Sequence, residues 1–158
     1  VDEWRERDAA DEAWVRAVFA EARTTNALGV ALFIQADPFV ADAGQAGYKA
    51  GFERFLKATE EEARAFKKPV LFAHADEHRF RLDYGMKFEA SAEPVANVTR
   101  LETFGDENIH GSLVVVDPAS AQVFLPAPLL VPGNGLPKLL PAAPGPARGR
   151  GRSTGAGP

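Results

Sequence analysis

Two short apolar stretches, Ala27-Leu-Gly-Val-Ala-Leu-Phe-Ile34 and Val70-Leu-Phe-Ala73, decide the fold of this chain. Each is apolar throughout and too short for a typical helix, which favours a strand buried on both faces. Between them, apolar residues recur at helical spacing from about Gly47 to Phe66, and Pro69 ends the pattern. A crossover of that length makes the two strands parallel, so the segment predicts a β-α-β unit.

The sequence on either side of this unit predicts further elements of an α/β domain. A helix is expected over Arg7–Arg23, strands over residues 80–84 and Val98–Phe104, and a final hairpin over Leu113–Leu125. Phe80, Leu82 and Tyr84 alternate with charged residues, as on a half-buried strand. Aromatic residues at helical spacing are expected in the core: Trp4, Trp14, Phe19, Phe52 and Phe55.

Composition limits the class of protein. The 158 residues are 46 % apolar and 25 % charged, with 18 basic and 22 acidic residues, as in a globular domain. Without cysteine there is no disulfide, thiolate nucleophile or Cys-ligated zinc. No apolar run approaches the ~20 residues of a membrane span. All the acidic residues lie at or before Asp117, and such an acidic body is a poor nucleic-acid surface, so we expect no nucleic-acid partner.

The C-terminal part differs in composition from the rest. Residues 126–158 hold 8 of the 12 prolines and 7 of the 14 glycines, and such a stretch buries too little apolar surface to offset its conformational entropy. We therefore expect a folded domain over residues 1–125 and a disordered, Pro/Gly/Arg-rich tail over residues 126–158.

Polar residues cluster where the two parallel strands end. Gln35-Ala-Asp37 follows the first strand, and His74-Ala-Asp-Glu-His78 follows the second. Ligands of open α/β sheets bind outside the carboxyl ends of strands, so this edge is the expected site. His74, Asp76 and His78 would point the same way in an extended chain, and imidazole with carboxylate suits Zn²⁺, Mn²⁺ or Fe²⁺. The alternative is a polar surface loop.

Three blocks of the sequence resemble the C-terminal half of bacterial calcineurin-like metallophosphoesterases. They are Gly29-Val-Ala-Leu-Phe-Ile-Gln-Ala-Asp-Pro-Phe39, Lys68-Pro-Val-Leu-Phe-Ala-His-Ala-Asp-Glu-His-Arg-Phe-Arg81 and Asn97-Val-Thr-Arg-Leu-Glu-Thr-Phe-Gly105. The resemblance covers roughly residues 5–125. It implies a four-layer α/β/β/α sandwich, of which this chain would form part, and hydrolysis of phosphate mono- or diesters with two divalent ions, Mn, Fe or Zn.

The resemblance also implies roles for particular residues. His78 matches the second histidine of the family's metal-binding Gly-His-x-His motif, and Asp76 stands in place of the first. An earlier metal-binding histidine of the family is replaced here, where Gln35 and Asp37 occupy its place. The family's N-terminal metal motifs are missing before His74, so the chain is expected to be a fragment that is weak or inactive in catalysis alone.

Other charged residues near this edge have two interpretations each. Arg79 and Arg81 could bind substrate phosphate, or they could lie on a solvated strand face. Arg100 could support the metal ligands together with Glu102, or the two could form an exposed cross-strand pair. Asp37 could likewise contact substrate or orient a ligand.

Two further expectations concern the chain as a whole. The alternative to a hydrolase is a non-catalytic binding module of the same fold. A half domain would expose a sheet edge, so self-association is expected.

Overall fold

The computed structural model describes residues 2–39, 49–88, 93–106 and 108–137. The elements in chain order are α1 (Asp2–Thr24), β1 (Val30–Phe33), a 3₁₀ helix (Lys49–Phe52), α2 (Glu53–Phe66), β2 (Val70–His74), β3 (Arg81–Met86), β4 (Val95–Glu102), β5 (Gly111–Val116) and β6 (Phe124–Leu129). The predicted helices and strands are all present, with α1 longer at its start and β1 shorter at both ends.

The predicted β-α-β unit is confirmed. Strands β1 and β2 are parallel neighbours, with Val30 paired to Val70 and Phe33 to Ala73. Strand β4 adds in parallel on the other side of β2, and β3 pairs antiparallel with β4, so the four-stranded sheet has the order β1-β2-β4-β3. Because β1, β2 and β4 run in one direction, their carboxyl ends lie at one edge of the sheet.

Both helices pack on one face of this sheet. Val15 and Phe19 of α1 meet Leu56 and Phe66 of α2 in the same buried cluster as the sheet residue Phe72. The rings of Phe19 and Phe66 pack edge to face, with centroids 5.6 Å apart. Helix α2 ends as its sequence predicts, since the residue after Phe66 takes a left-handed conformation and a proline follows two positions later.

The hairpin of β5 and β6 packs on the opposite face of the sheet. Val114 and Phe124 contact a second buried cluster of Leu71, Ala73 and Leu101. The structure is therefore mixed α/β, as expected, with helices, a four-stranded sheet and a two-stranded sheet in succession. The four-layer arrangement stays a prediction.

The core prediction is correct for some aromatic residues and wrong for others. Phe19 and Phe55 are buried, and Phe52 packs at the margin of the core. Trp4 and Trp14 are exposed, because the stripe of α1 that faces the sheet runs through Val15 and Phe19 instead.

Tyr84 is also exposed, which corrects the expected facing of its strand. Tyr84 pairs with Thr99 on β4. It does not belong to the cluster of Leu71, Ala73 and Leu101 against which the hairpin packs.

The predicted start of the tail lies inside an element. Strand β6 continues to Leu129, so the structured part of the chain extends past residue 125 and includes Pro126 and Pro128. Residues 138–158 of the tail lie outside the described residues, as does the break expected at Gly44–Gly47. Among the helices that are described, none combines the length and the apolar character needed to cross a membrane.

Candidate functional site

The carboxyl edge of the sheet brings together the segments that the sequence singled out. The backbone amide of Ile34 donates to the carbonyl of Ala73 at 3.0 Å, and that of Ala75 donates to the carbonyl of Gln35 at 3.1 Å. The ladder between β1 and β2 thus continues past the strand ends. The expected proximity of Asp37 to the segment that begins at His74 is confirmed.

Three side chains at this edge form a compact buried group. Asp37, His74 and Glu102 each offer a ligand atom, and these atoms all lie within 4.8 Å of one another. Their exposed fractions are 3 %, 1 % and 0 %. The register explains the meeting of two of them, because His74 ends β2 directly beside Glu102, which ends β4. We call these three residues the buried triad.

Two atoms of the buried triad have no hydrogen-bond partner among the described residues. The Oδ1 of Asp37 accepts from the backbone amide of Phe39 at 2.9 Å and lies 3.7 Å from Nδ1 of His74. That Nδ1 also lies 3.3 Å from the carbonyl oxygen of Ala75. In the part of the chain that the structure describes, Nε2 of His74 and Oε2 of Glu102 are buried without a hydrogen bond. A buried polar atom left unpaired costs about 1–3 kcal/mol, so these two atoms call for an explanation.

Burial shifts the pKa of two members of the buried triad, His74 and Glu102. It lowers the pKa of His74, against the attraction of the Asp37 carboxylate. It also raises the pKa of Glu102 to about 7, although the Arg79 guanidinium acts in the other direction. The imidazole is therefore neutral near neutral pH and keeps a lone pair, which is the form that binds a metal ion.

Three arginines surround the buried triad, and each is paired with a carboxylate. The Nε of Arg79 lies 3.1 Å from Glu102, and the Nε of Arg81 lies 2.8 Å from Asp83. Arg100 is buried and donates to the same Asp83, with its Nε at 2.7 Å. The antiparallel register of β3 and β4 produces this arrangement, since it places Asp83 opposite Arg100.

An aromatic ring covers the buried triad. The ring of Phe39 lies 5.6 Å from the His74 ring, and the Arg100 guanidinium lies 5.2 Å from the centre of the same Phe39 ring. The ring of Phe72 contacts both, with its centroid 6.0 Å from that of His74 and 5.7 Å from that of Phe39. This packing accounts for the low exposure of His74.

Asp76 and His78 lie apart from the buried triad. Both have positive φ, 86° for Asp76 and 58° for His78, so the segment after His74 is not extended and the expected common direction of the three side chains is wrong. The Nε2 of Gln35 donates to Asp76 at 3.2 Å. The half-exposed His78 has its Nδ1 4.0 Å from the carboxylate of Asp106.

The sequence did not predict that Glu102 lies in the same buried group as Asp37 and His74. The exposed cross-strand pair expected between Arg100 and Glu102 is wrong, because both are buried and each pairs with another residue on or beside β3. The position of Glu102 near the end of a predicted strand is the one feature of the sequence that could have indicated this. If β4 is parallel to β2, its last residue lies at the same edge as His74.

Comparison of the chain with protein-family models, with curated proteins and with solved structures found no match. The site is therefore assessed on its own chemistry. One neutral imidazole and two carboxylates are donors typical of Mn²⁺, Fe²⁺ or Zn²⁺ sites. Nε2 of His74 and Oε2 of Glu102, which have no partner among the described residues, are the atoms that such an ion would bind.

Proposed function

We propose that this chain binds a divalent metal ion at the carboxyl edge of its sheet and serves the metal-dependent hydrolysis of phosphate mono- or diesters. The observation that carries the proposal is the buried triad, whose three ligand atoms lie within 4.8 Å of one another. The resemblance of residues 29–39, 68–81 and 97–105 to calcineurin-like metallophosphoesterases supports the choice of reaction. With the ion bound, the site would gain Lewis-acid activation of a phosphate ester.

The chain's own residues supply binding and orientation. Asp37, His74 and Glu102 would hold the ion, and the hydrogen bond from the Phe39 amide fixes the Asp37 carboxylate. Arg81 is the best-placed phosphate ligand of the three arginines, because its side chain is about half exposed while that of Arg100 is buried. A guanidinium binds phosphate oxygens in a bidentate manner.

A second metal ion and the four-layer sandwich, which the resemblance implies, are part of the same proposal. Asp76 and His78 would serve a second ion, since they follow β2 at this edge and Asp76 is joined to Gln35 across it. The four-layer sandwich would be completed by a further helical layer against the hairpin.

A specific observation favours a second candidate function, a binding module without catalysis. Arg79, Arg81 and Arg100 are each paired with a carboxylate, and the buried triad is closed over by Phe39. An ion held there would stabilise the edge of the sheet without meeting a substrate.

Metal binding and hydrolysis, measured on the same protein, test the proposal. Calorimetric titration with Mn²⁺ and Zn²⁺ should show a saturable site at the buried triad that is lost in His74→Asn and Glu102→Gln and kept in the matched control Glu77→Gln. His78→Ala distinguishes the two ligand sets, because it should leave that site intact and remove only a second one.

Hydrolysis of bis(p-nitrophenyl) phosphate then tests catalysis. A metal-dependent rate that falls in Arg81→Ala supports the hydrolase and contradicts the binding module. Metal binding without any rate is the result expected of the binding module, and also of the catalytically inactive chain that the resemblance implies. Unchanged metal affinity in both His74→Asn and Glu102→Gln would refute the buried triad as the site.

A further inference from the structure

A pocket of about 310 Å³ lies beside β1, the strand at one edge of the four-stranded sheet. It is lined by Asp11 and Trp14 of α1, Phe33 and Ile34 at the end of β1, Phe52 of the 3₁₀ helix and Phe55 of α2. Four elements thus contribute to one concavity. Its volume is at the lower end of the range for small-molecule sites.

The lining is aromatic, and part of it is exposed to an unusual degree. Trp14 is 52 % exposed and Phe33 is 67 % exposed, although both are large apolar side chains whose neighbours in the chain, Val15 and Leu32, are buried. Exposed aromatic groups that line a concavity, rather than being scattered singly, are typical of ligand sites.

Among the described residues that line the pocket, Asp11 alone carries a charge. Asp11 and Trp14 are three positions apart on α1, so both side chains lie on the same side of the helix. Among the described residues, Asp11 has no ion pair. The nearby arginines of the two helices are paired elsewhere: Arg16 with Glu61 at 2.9 Å, Arg23 with Glu62 at 2.7 Å, and Arg54 with Asp8 at 3.8 Å.

We propose that this pocket binds a small organic cation of the quaternary ammonium class, such as choline. A trimethylammonium group is attracted to the negative faces of aromatic rings, and Trp gives the strongest such interaction. The trimethylammonium group has no N–H to donate, so the aromatic side chains of the lining leave no hydrogen bond of that group unsatisfied. The Asp11 carboxylate provides the opposite charge at the pocket, and no described cation competes for it.

The pocket is separate from the buried triad. The ring of Phe55 lies 6.0 Å from that of Phe72, which in turn lies 6.0 Å from that of His74, so one buried ring stands between them. Ligand binding in the pocket is therefore a function additional to the proposed hydrolysis. It holds whether or not the chain hydrolyses phosphate esters.

A comparison of choline with its neutral carbon isostere, 3,3-dimethylbutan-1-ol, tests the charge of the ligand. The two molecules have nearly the same shape, so a purely apolar pocket would bind both equally. We expect saturable binding of choline in calorimetry, with Kd in the millimolar range or below, and binding of the isostere weaker by about tenfold or more. Equal affinities, or no choline binding up to about 10 mM, would overturn the proposal.

Substitutions in the lining test whether choline binds in this pocket. Trp4→Phe leaves Trp14 as the sole tryptophan, and its fluorescence should change with choline at the same Kd. Asp11→Asn and Trp14→Leu should each weaken choline binding by about tenfold. The controls Glu21→Gln and Trp4→Leu change an exposed carboxylate and an exposed indole on the same helix and should have no effect. Equal losses in variant and control would refute the location.

A vesicle assay distinguishes the source of the cation. The pocket volume favours a free small molecule, so the protein should not sediment with phosphatidylcholine vesicles. Sedimentation that depends on Trp14, without binding of free choline, would overturn the assignment to a free ligand.

Discussion

The carboxylate of Asp8, on α1, accepts a hydrogen bond from the backbone amide of Phe55 in the first turn of α2. The residue that precedes α2, Phe52, has no side chain able to cap it. Asp8 therefore serves as the N-terminal cap of a helix other than its own. One interaction satisfies an otherwise unpaired amide and joins the two helices.

Asp8→Asn is expected to stabilise the protein at neutral pH. Burial raises the pKa of Asp8, so the folded state favours the protonated carboxyl, and this contribution to stability is lost as the pH rises above the folded-state pKa. Asn keeps the acceptor and removes the charge. Asp8→Ala also removes the acceptor and should be about 1 kcal/mol less stable than Asp8→Asn.

Urea unfolding at neutral pH and at a pH below 3.8, the ordinary Asp pKa, checks this expectation. The advantage of Asp8→Asn should be greater at neutral pH. A constant difference between the two pH values would show that ionisation of Asp8 carries no cost.

Glu102→Gln should also stabilise the metal-free protein, but over a different pH range from Asp8→Asn. Burial raises the pKa of Glu102 from 4.5 to about 7. The stability that protonated Glu102 contributes is therefore complete below 4.5 and is lost as the pH rises through about 7. The advantage of Glu102→Gln should grow across this interval, with an upper bound of roughly 3 kcal/mol.

Unfolding in the presence of a chelator, with the more exposed Glu77→Gln as control, measures this effect. The control should show no such trend. An advantage of Glu102→Gln that stays flat between pH 4.5 and about 7 would mean that Arg79 keeps Glu102 ionised.

Asn97→Ala should destabilise the protein by about 1–3 kcal/mol, because it removes a side-chain donor from two carbonyl groups, of which that of Ala63 keeps the backbone amide of Lys67 at 3.2 Å. The Nδ2 of Asn97 donates to the carbonyl of Ala63 near the end of α2 at 2.9 Å and to that of Lys68 before β2 at 2.8 Å. Thermal or urea unfolding provides the measurement. Asn134→Ala, which removes one exposed amide, is the control, and equal effects would count against the bridging role of Asn97.

Gly29→Ala should destabilise the protein by about 1–3 kcal/mol through overpacking. A Cβ at this position would lie 2.7 Å from the ring of Phe124 and 2.8 Å from the carbonyl oxygen of Pro69. Gly51→Ala is the matched control, since its Cβ would meet nothing within 4 Å. Similar stability of both variants would show that the hairpin moves away from β1 at little cost.

The sequence predicts the local part of this fold well. The apolar runs at Ala27–Ile34 and Val70–Ala73, with a helical pattern between them, suffice for a parallel pair, because the length of the crossover excludes a tight turn. The meeting of Asp37 with His74 follows from that pair alone.

The rest depends on contacts between residues distant in the sequence. The pairing of β4 with β2 places Glu102 beside His74, and no local pattern specifies that pairing. The direction of Asp76 and His78 depends on left-handed backbone conformations, which no residue type at those positions requires. Trp14 differs from the core residue Val15 by one position, a rotation of the helix that periodicity does not resolve.

The prolines of β6 affect how this protein can aggregate. Pro126 and Pro128 are two positions apart, so their backbone groups face the same side of the strand, and neither has an N–H to donate. With its other side joined to β5, β6 offers solvent an edge that lacks two donors, and a further strand pairs poorly there. The edge of β1, Val30–Phe33, has neither proline nor charge. The unpaired side of β5, Gly111–Val116, likewise has neither, so fibril growth or strand exchange between copies would begin at β1 or β5 rather than at β6.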